Sequence, residues 1–168
     1  MNTKKFAVGI LNIILLFLAH SALAQMNAME DDIIKKSGVL TDEEVYPLSP
    51  IYKQSTFVYY DGMGRPIQQV AQNASPLQND IVQPIVYDNL GRQTTSYLPY
   101  SDVNTGTSGV LPGSYRSTAL TEQSTFYSNT GQYLVATDAD PYSQTVFEKS
   151  PLQRLLEAGM VGSNFHGN

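Results

Sequence analysis

No cysteine occurs in the 168 residues. Disulfide bracing is therefore excluded, although small exported domains with little core often depend on it. Histidine is nearly absent too, with only His20 and His166. A lone His without Cys does not make a usual zinc site, and a Ser-His-Asp arrangement on His166 would stand at a frayed terminus. No glycine-rich loop is built to cradle phosphate. Asp138-Ala139-Asp140 lacks the Gly and distal Glu of an EF-hand loop and reads as an acidic turn before Pro141. No cofactor, metal or catalytic residue is expected on these grounds.

Long apolar runs are scarce as well. The one candidate, Phe6 to Ala19, is broken by Gly9 and Asn12 and falls short of the ~20 residues a spanning helix needs. It follows Lys4-Lys5 and precedes Ala22-Leu23-Ala24. Positive start, short apolar stretch and Ala-x-Ala predict a cleaved secretory signal over residues 1–24, hence export to the periplasm, cell surface or medium. No other segment is apolar enough to span a bilayer. Loss of Lys4 and Lys5 from the 10 Lys+Arg leaves 8 against 15 Asp+Glu, a net of −7 (8 − 15). That balance argues against nucleic acid and against docking on anionic lipid.

What the chain does have is a repeated phrase. Tyr60-Asp61-Gly62-Met63-Gly64-Arg65 returns as Tyr87-Asp88-Asn89-Leu90-Gly91-Arg92. The shared pattern, Tyr-Asp-x-x-Gly-Arg, predicts a hairpin cassette. Asp61 or Asp88 opens the turn by accepting backbone N–H groups. Gly64 or Gly91 supplies the left-handed conformation that closes it. The Tyr60 or Tyr87 ring packs on the sheet, and Arg65 or Arg92 stacks on such a ring or pairs with the Asp. Tyr127-Ser128-Asn129-Thr130-Gly131-Gln132 reads as a worn third copy.

The rest reads as mainly β with long turns. Strands are expected over Ser55–Tyr60, Arg65–Ala71, Asp80–Tyr87, Gln93–Leu98, Gln132–Thr137 and Tyr142–Glu148. Pro84 within the third suggests a sheet edge or a bulge. Ser101–Ser117 reads as loop, and Leu120–Tyr127 as a short helix or a strand. Ser150-Pro151 allows a helix over Pro151–Ala158, and a turn feeding a strand fits equally well. Residues 25–53 are expected to be a flexible leader with a transient helical turn over Met26–Lys36, 54–160 the β domain, and 161–168 the tail of a truncated continuation.

The phrase is similar to the core of the YD repeats of bacterial Rhs-type proteins. The ordered set Tyr60–Gln68, Asp80–Arg92, Tyr97–Tyr100, Tyr142–Glu148 and Ser150–Arg154 resembles, over Thr56–Gly159, the domain that leads many Rhs-repeat proteins of Bacteroidetes-type bacteria. The resemblance implies hairpins that join an open or partial β-shell, and a non-enzymatic scaffold at its start. The implied partners are the remainder of that shell or a C-terminal toxin cargo, and the chain is then a truncated or fragmentary member. Two other classes compete. The 11 Tyr with many Asn, Gln, Ser and Thr suit a surface glycan-binding module. Asp61 and Asp88 as paired carboxylates would make a glycoside hydrolase.

Overall fold

The computed structural model describes residues 27–103, 105, 110–129 and 135–165. Its elements are β1 (Asn27–Ile34), α1 (Asp42–Val45), β2 (Lys53–Tyr60), β3 (Pro66–Ala71), β4 (Asp80–Val86), β5 (Thr95–Tyr97), β6 (Tyr100–Asp102), α2 (Ala119–Ser128), β7 (Tyr142–Phe147) and β8 (Leu155–Gly159). The strands form one antiparallel sheet in the order β1-β2-β3-β4-β5-β7-β8, with β6 also pairing β4. The sheet stays open, with β1 and β8 at its edges. The mainly β, hairpin-built architecture expected from the sequence is what forms. The secretory signal expected over residues 1–24 lies outside the described residues.

Several local expectations change. Asn27–Ile34 is neither flexible leader nor helical turn: it pairs with β2 along its whole length, from Asn27↔Tyr60 to Ile34↔Lys53. Its run of Glu30-Asp31-Asp32 hides the strand pattern. The backbone ladder and the bonds from Lys53 Nζ and Ser55 Oγ to Asp32 (3.1 and 2.6 Å) hold it in place, tertiary pairing overriding weak propensity. Pro84 marks neither an edge nor a bulge. It lies between the stretch of β4 that pairs with β6 (Asp80–Val82) and the stretch that pairs with β5 (Ile85–Val86). A residue with no N–H fits at that break. Leu120–Tyr127 falls within helix α2. Pro151–Ala158 takes the turn-and-strand alternative and leads into β8. Of the strand expected over Gln132–Thr137, residues 132–134 lie outside the described residues, and Val135–Thr137 are irregular.

The core sits on one face of β2–β4. Tyr59, Val70, Val82, Tyr100 and Ala119 are buried, with Phe57, Ile67, Phe126 and Tyr127 packed around them. Alternation along each strand puts Tyr59, Gln68, Val70, Asp80 and Val82 inward. The segment from 110 through α2 covers that face. The sequence reads 101–117 as loop; after β6 its described part is irregular, yet it acts as a strap. Tyr59 Oη donates to Gly113 O (2.6 Å), and Gln68 exchanges two bonds with the Arg116 backbone (2.9 and 2.7 Å). A Cβ at Gly113 would meet the Phe57 ring at 2.5 Å, so only glycine lets the strap lie this close.

Candidate functional site

The two copies of the phrase cap the β2–β3 and β4–β5 hairpins, and they match bond for bond. In the first, Asp61 N donates to Arg65 O (2.9 Å) and Gly64 N to Asp61 O (3.0 Å). Asp61 Oδ1 accepts from Met63 N (2.8 Å) and Arg65 N (2.9 Å), and Oδ2 accepts from Arg65 Nε (2.8 Å). In the second, Asp88 N donates to Arg92 O and Gly91 N to Asp88 O, both at 2.9 Å. Asp88 Oδ1 accepts from Leu90 N and Arg92 N (2.9 Å each), and Oδ2 from Arg92 Nε (2.8 Å). Gly64 and Gly91 have φ of +78° and +76°, the left-handed region that the phrase predicts for them.

Each carboxylate is therefore a turn-builder with a fixed cation. The backbone N–H of Arg65, then its guanidinium, holds the Asp61 carboxyl below the ordinary carboxylate range. Arg92 does the same for Asp88. The arginines reach further. The Arg65 guanidinium lies over the Tyr87 ring, 4.6 Å from its centroid, and Arg92 lies over Phe147 at 4.9 Å. The sequence reading left stacking and pairing as alternatives, and each Arg does both. The ring that receives it belongs to the next hairpin. A Cβ at Gly91 would meet Arg65 Nη1 at 3.0 Å, so the glycine of one cassette also makes room for the arginine of the one before.

Phe147 leads to a third cassette that sequence reasoning missed. The worn copy expected at Tyr127–Gln132 does not start from a strand: Tyr127 and Ser128 end helix α2, and residues 130–132 lie outside the described residues. The third turn instead joins β7 to β8. Glu148 N donates to Arg154 O (2.9 Å). Glu148 Oε1 accepts from Arg154 N (3.2 Å) and Arg154 Nε (3.1 Å). Ser150 O accepts from Gln153 N (3.1 Å), and Ser150 Oγ from Leu152 N (3.2 Å). Gln153 takes the glycine position with φ of +47°. Two residues thus divide what one Asp does elsewhere: Glu148 holds the arginine, and Ser150 builds the turn. The division lengthens the loop by two residues. The Arg154 guanidinium, then the Ser150 hydroxyl, keeps the Glu148 carboxyl below its ordinary range. The signal for it was an aromatic–acid pair with an arginine downstream, hidden because the spacing and the glycine differ.

Two further groupings carry polar side chains. Arg116, 4% exposed, binds Asp80 through Nη2 (2.8 Å) and Asp102 through Nε (2.6 Å), with both carboxylates buried. Gly113 N also donates to Asp80 Oδ2 (2.7 Å). This cluster is internally satisfied and locks the strap to the sheet. A cavity of about 190 Å³ opens between β6 and α2, lined by Tyr100, Thr118, Thr121, Glu122, Thr125 and Phe126 among others. Tyr100 Oη donates to Glu122 Oε2 (2.5 Å), and burial, then Glu122, pushes its phenol above the ordinary range. Neither Asp61 nor Asp88 lines this cavity.

Residues 34–168 match the family described as Domain of unknown function (DUF6443). The chain belongs to that family. All three cassettes of this DUF6443 chain, and the strap between the second and third, lie inside the matched span. No curated protein and no solved structure matches it.

Proposed function

We propose that this DUF6443 chain is a non-enzymatic, exported scaffold domain standing at the start of an Rhs/YD-repeat shell or cell-surface protein, of the kind that builds toxin-delivery or encapsulating assemblies. The observation that carries the reading is the chain of cassettes, in which the arginine of each of the first two hairpins lies over the aromatic of the next. Such a device ties successive hairpins into a growing sheet and needs no substrate. The small buried core, five apolar residues among those described, suits a unit that stacks with neighbours. Asp61 and Asp88 each have both oxygens engaged by their own turn, which speaks for structure over hydrolysis. An antibody raised against the mature domain tests the reading in the native host. The expected result is signal in the exported or surface fraction on a product far heavier than 18.5 kDa. Signal confined to the cytoplasm, or a product of only this mass, overturns it.

The cavity between β6 and α2 favours a second reading, a surface carbohydrate-binding module. Thr118, Thr121 and Thr125 line it together with Phe126, and sugars are held by that combination of polar and apolar groups. A glycan array with the wild type and Phe126→Ala decides it: a binder lost in the variant supports it, and an empty array removes it.

A further inference from the structure

Arg154 departs from a rule that the other two cassette arginines, Arg65 and Arg92, keep. Continuing the β3–β4 register Gln68↔Pro84 three residues outward puts Arg65 opposite Tyr87. Continuing the β5–β7 register Thr95↔Gln144 three residues outward puts Arg92 opposite Phe147. Each arginine thus faces, across the ladder, the aromatic that opens the next cassette. Arg154 has its carboxylate, Glu148, at 3.1 Å, but no ring lies over it among the described residues. Its side chain is 72% exposed, against 33% for Arg65 and 23% for Arg92.

The strand beyond it is equally uncovered. Among the described residues β8 pairs only with β7, so its outer N–H and C=O groups form an open template there. Leu155 and Leu156 are adjacent and so point to opposite faces, and both are more than half exposed. Leu152 and Met160 beside them are exposed as well. The other edge is different. β1 carries Glu30, Asp31 and Asp32, two of them ion-paired with Lys53, and charge on an edge strand discourages pairing.

We infer that β8 and Arg154 are the acceptor for a further β-hairpin headed by an aromatic–carboxylate turn of the same type. It pairs antiparallel with β8 and seats its aromatic opposite Arg154, continuing the interface that already joins β5 to β7. The inference rests on the scaffold reading and gives it a direction, with pairing extending from β8 and not from β1. A second copy of the chain suits the edge less well, because neither β1 nor β8 contains an aromatic to set opposite Arg154.

The probe is the chain's own second hairpin, residues 84–97, whose ends lie opposite each other in the β4–β5 register, as a backbone-cyclised fluorescent peptide, since an isolated hairpin is marginal in water. Titration with the full chain is expected to give saturable fluorescence anisotropy. Arg154→Ala weakens binding about five-fold. Tyr87→Ser in the probe weakens it by a similar factor for the wild type and no further for the Arg154→Ala protein. That second substitution leaves the protein untouched, so misfolding cannot imitate it. Absence of saturable binding overturns the inference, as does binding indifferent to both changes. Dimers in sedimentation equilibrium that Arg154→Ala abolishes and the peptide fails to dissociate assign the edge to a second copy and overturn it too. None of these results touches the exported-scaffold reading, which is decided separately by localisation and mass.

Discussion

If the arginine relay holds successive hairpins together, Arg65 and Tyr87 are energetically coupled, and a double-mutant cycle measures the coupling. Arg65→Met keeps the aliphatic stem and removes the guanidinium. Tyr87→Leu keeps apolar volume and removes the ring face. Arg65→Met also strips Asp61 of its cation, but that loss occurs in both arms of the cycle and cancels. A cation over an aromatic face contributes about 0.5–1 kcal/mol when exposed and about 2 when desolvated. At 33% exposure and 4.6 Å from the ring, Arg65 sits between those limits. The expected coupling is therefore about 1 kcal/mol, read from urea unfolding followed by far-UV circular dichroism with unchanged m-values. In thermal melts the double mutant should lie about 4 °C above the additive expectation. Arg65→Met with Phe147→Leu is the control, since Phe147 receives Arg92, and that pair should be additive. A coupling for Arg65–Tyr87 inside the additivity scatter of about 0.3–0.5 kcal/mol would refute the relay as a source of cohesion, whatever the geometry.

Gly64→Ala and Gly91→Ala both impose a side chain at positive φ, each costing about 1–2 kcal/mol. Only at Gly91 does the new Cβ press on Arg65, so chemical denaturation should show Gly91→Ala as the more damaging of the two. Replacing Arg116 by Met leaves Asp80 and Asp102 buried without their cation, and equilibrium unfolding should register a loss of about 3–5 kcal/mol; a loss under 1 kcal/mol would show that the strap is held by other contacts. Acid should weaken the fold through the cassettes. Asp61, Asp88 and Glu148 have folded pKa values below their unfolded ones. Their contribution is thus complete above the unfolded values of about 4 and is lost as pH falls through the folded ones. A pH series of melts should fall below about pH 4, and Asp61→Asn with Asp88→Asn should flatten that fall.

How legible each feature was depended on whether one residue did the whole job. In the first two cassettes a single Asp builds the turn and holds the arginine, so the phrase has fixed spacing, and Tyr60, Asp61, Gly64, Arg65 and their counterparts could be read directly. In the third, Glu148 and Ser150 share the work and Gln153 replaces the glycine, so no fixed phrase survives. β1 was hidden for another reason. An edge strand exposed on both faces needs no apolar alternation, and its acidic run resembles a solvated leader. The strap was illegible because Gln68, Asp80, Asp102 and Arg116 come from four separate segments, and only the folded sheet brings them together.

The polarity of the relay follows from connectivity alone. In every cassette the arginine comes directly after the turn, on the side of the second strand, and the aromatic comes directly before it, on the side of the first. The second strand of one hairpin faces the first strand of the next in the sheet order. An arginine can therefore reach only the hairpin that follows it, never the one before. The first aromatic, Tyr60, needs a partner from outside the series, and the residue set opposite it is Asn27 of β1, which has no cation to offer. β1 thus pairs the first hairpin's backbone without continuing the relay on that side, while on the other Arg154 stands with no ring over it among the described residues. The two edges of the described sheet therefore differ in kind, β1 charged and without arginine, β8 apolar and next to Arg154. Under the scaffold reading proposed above, that difference gives hairpin addition a direction, set by the position of arginine within the turn.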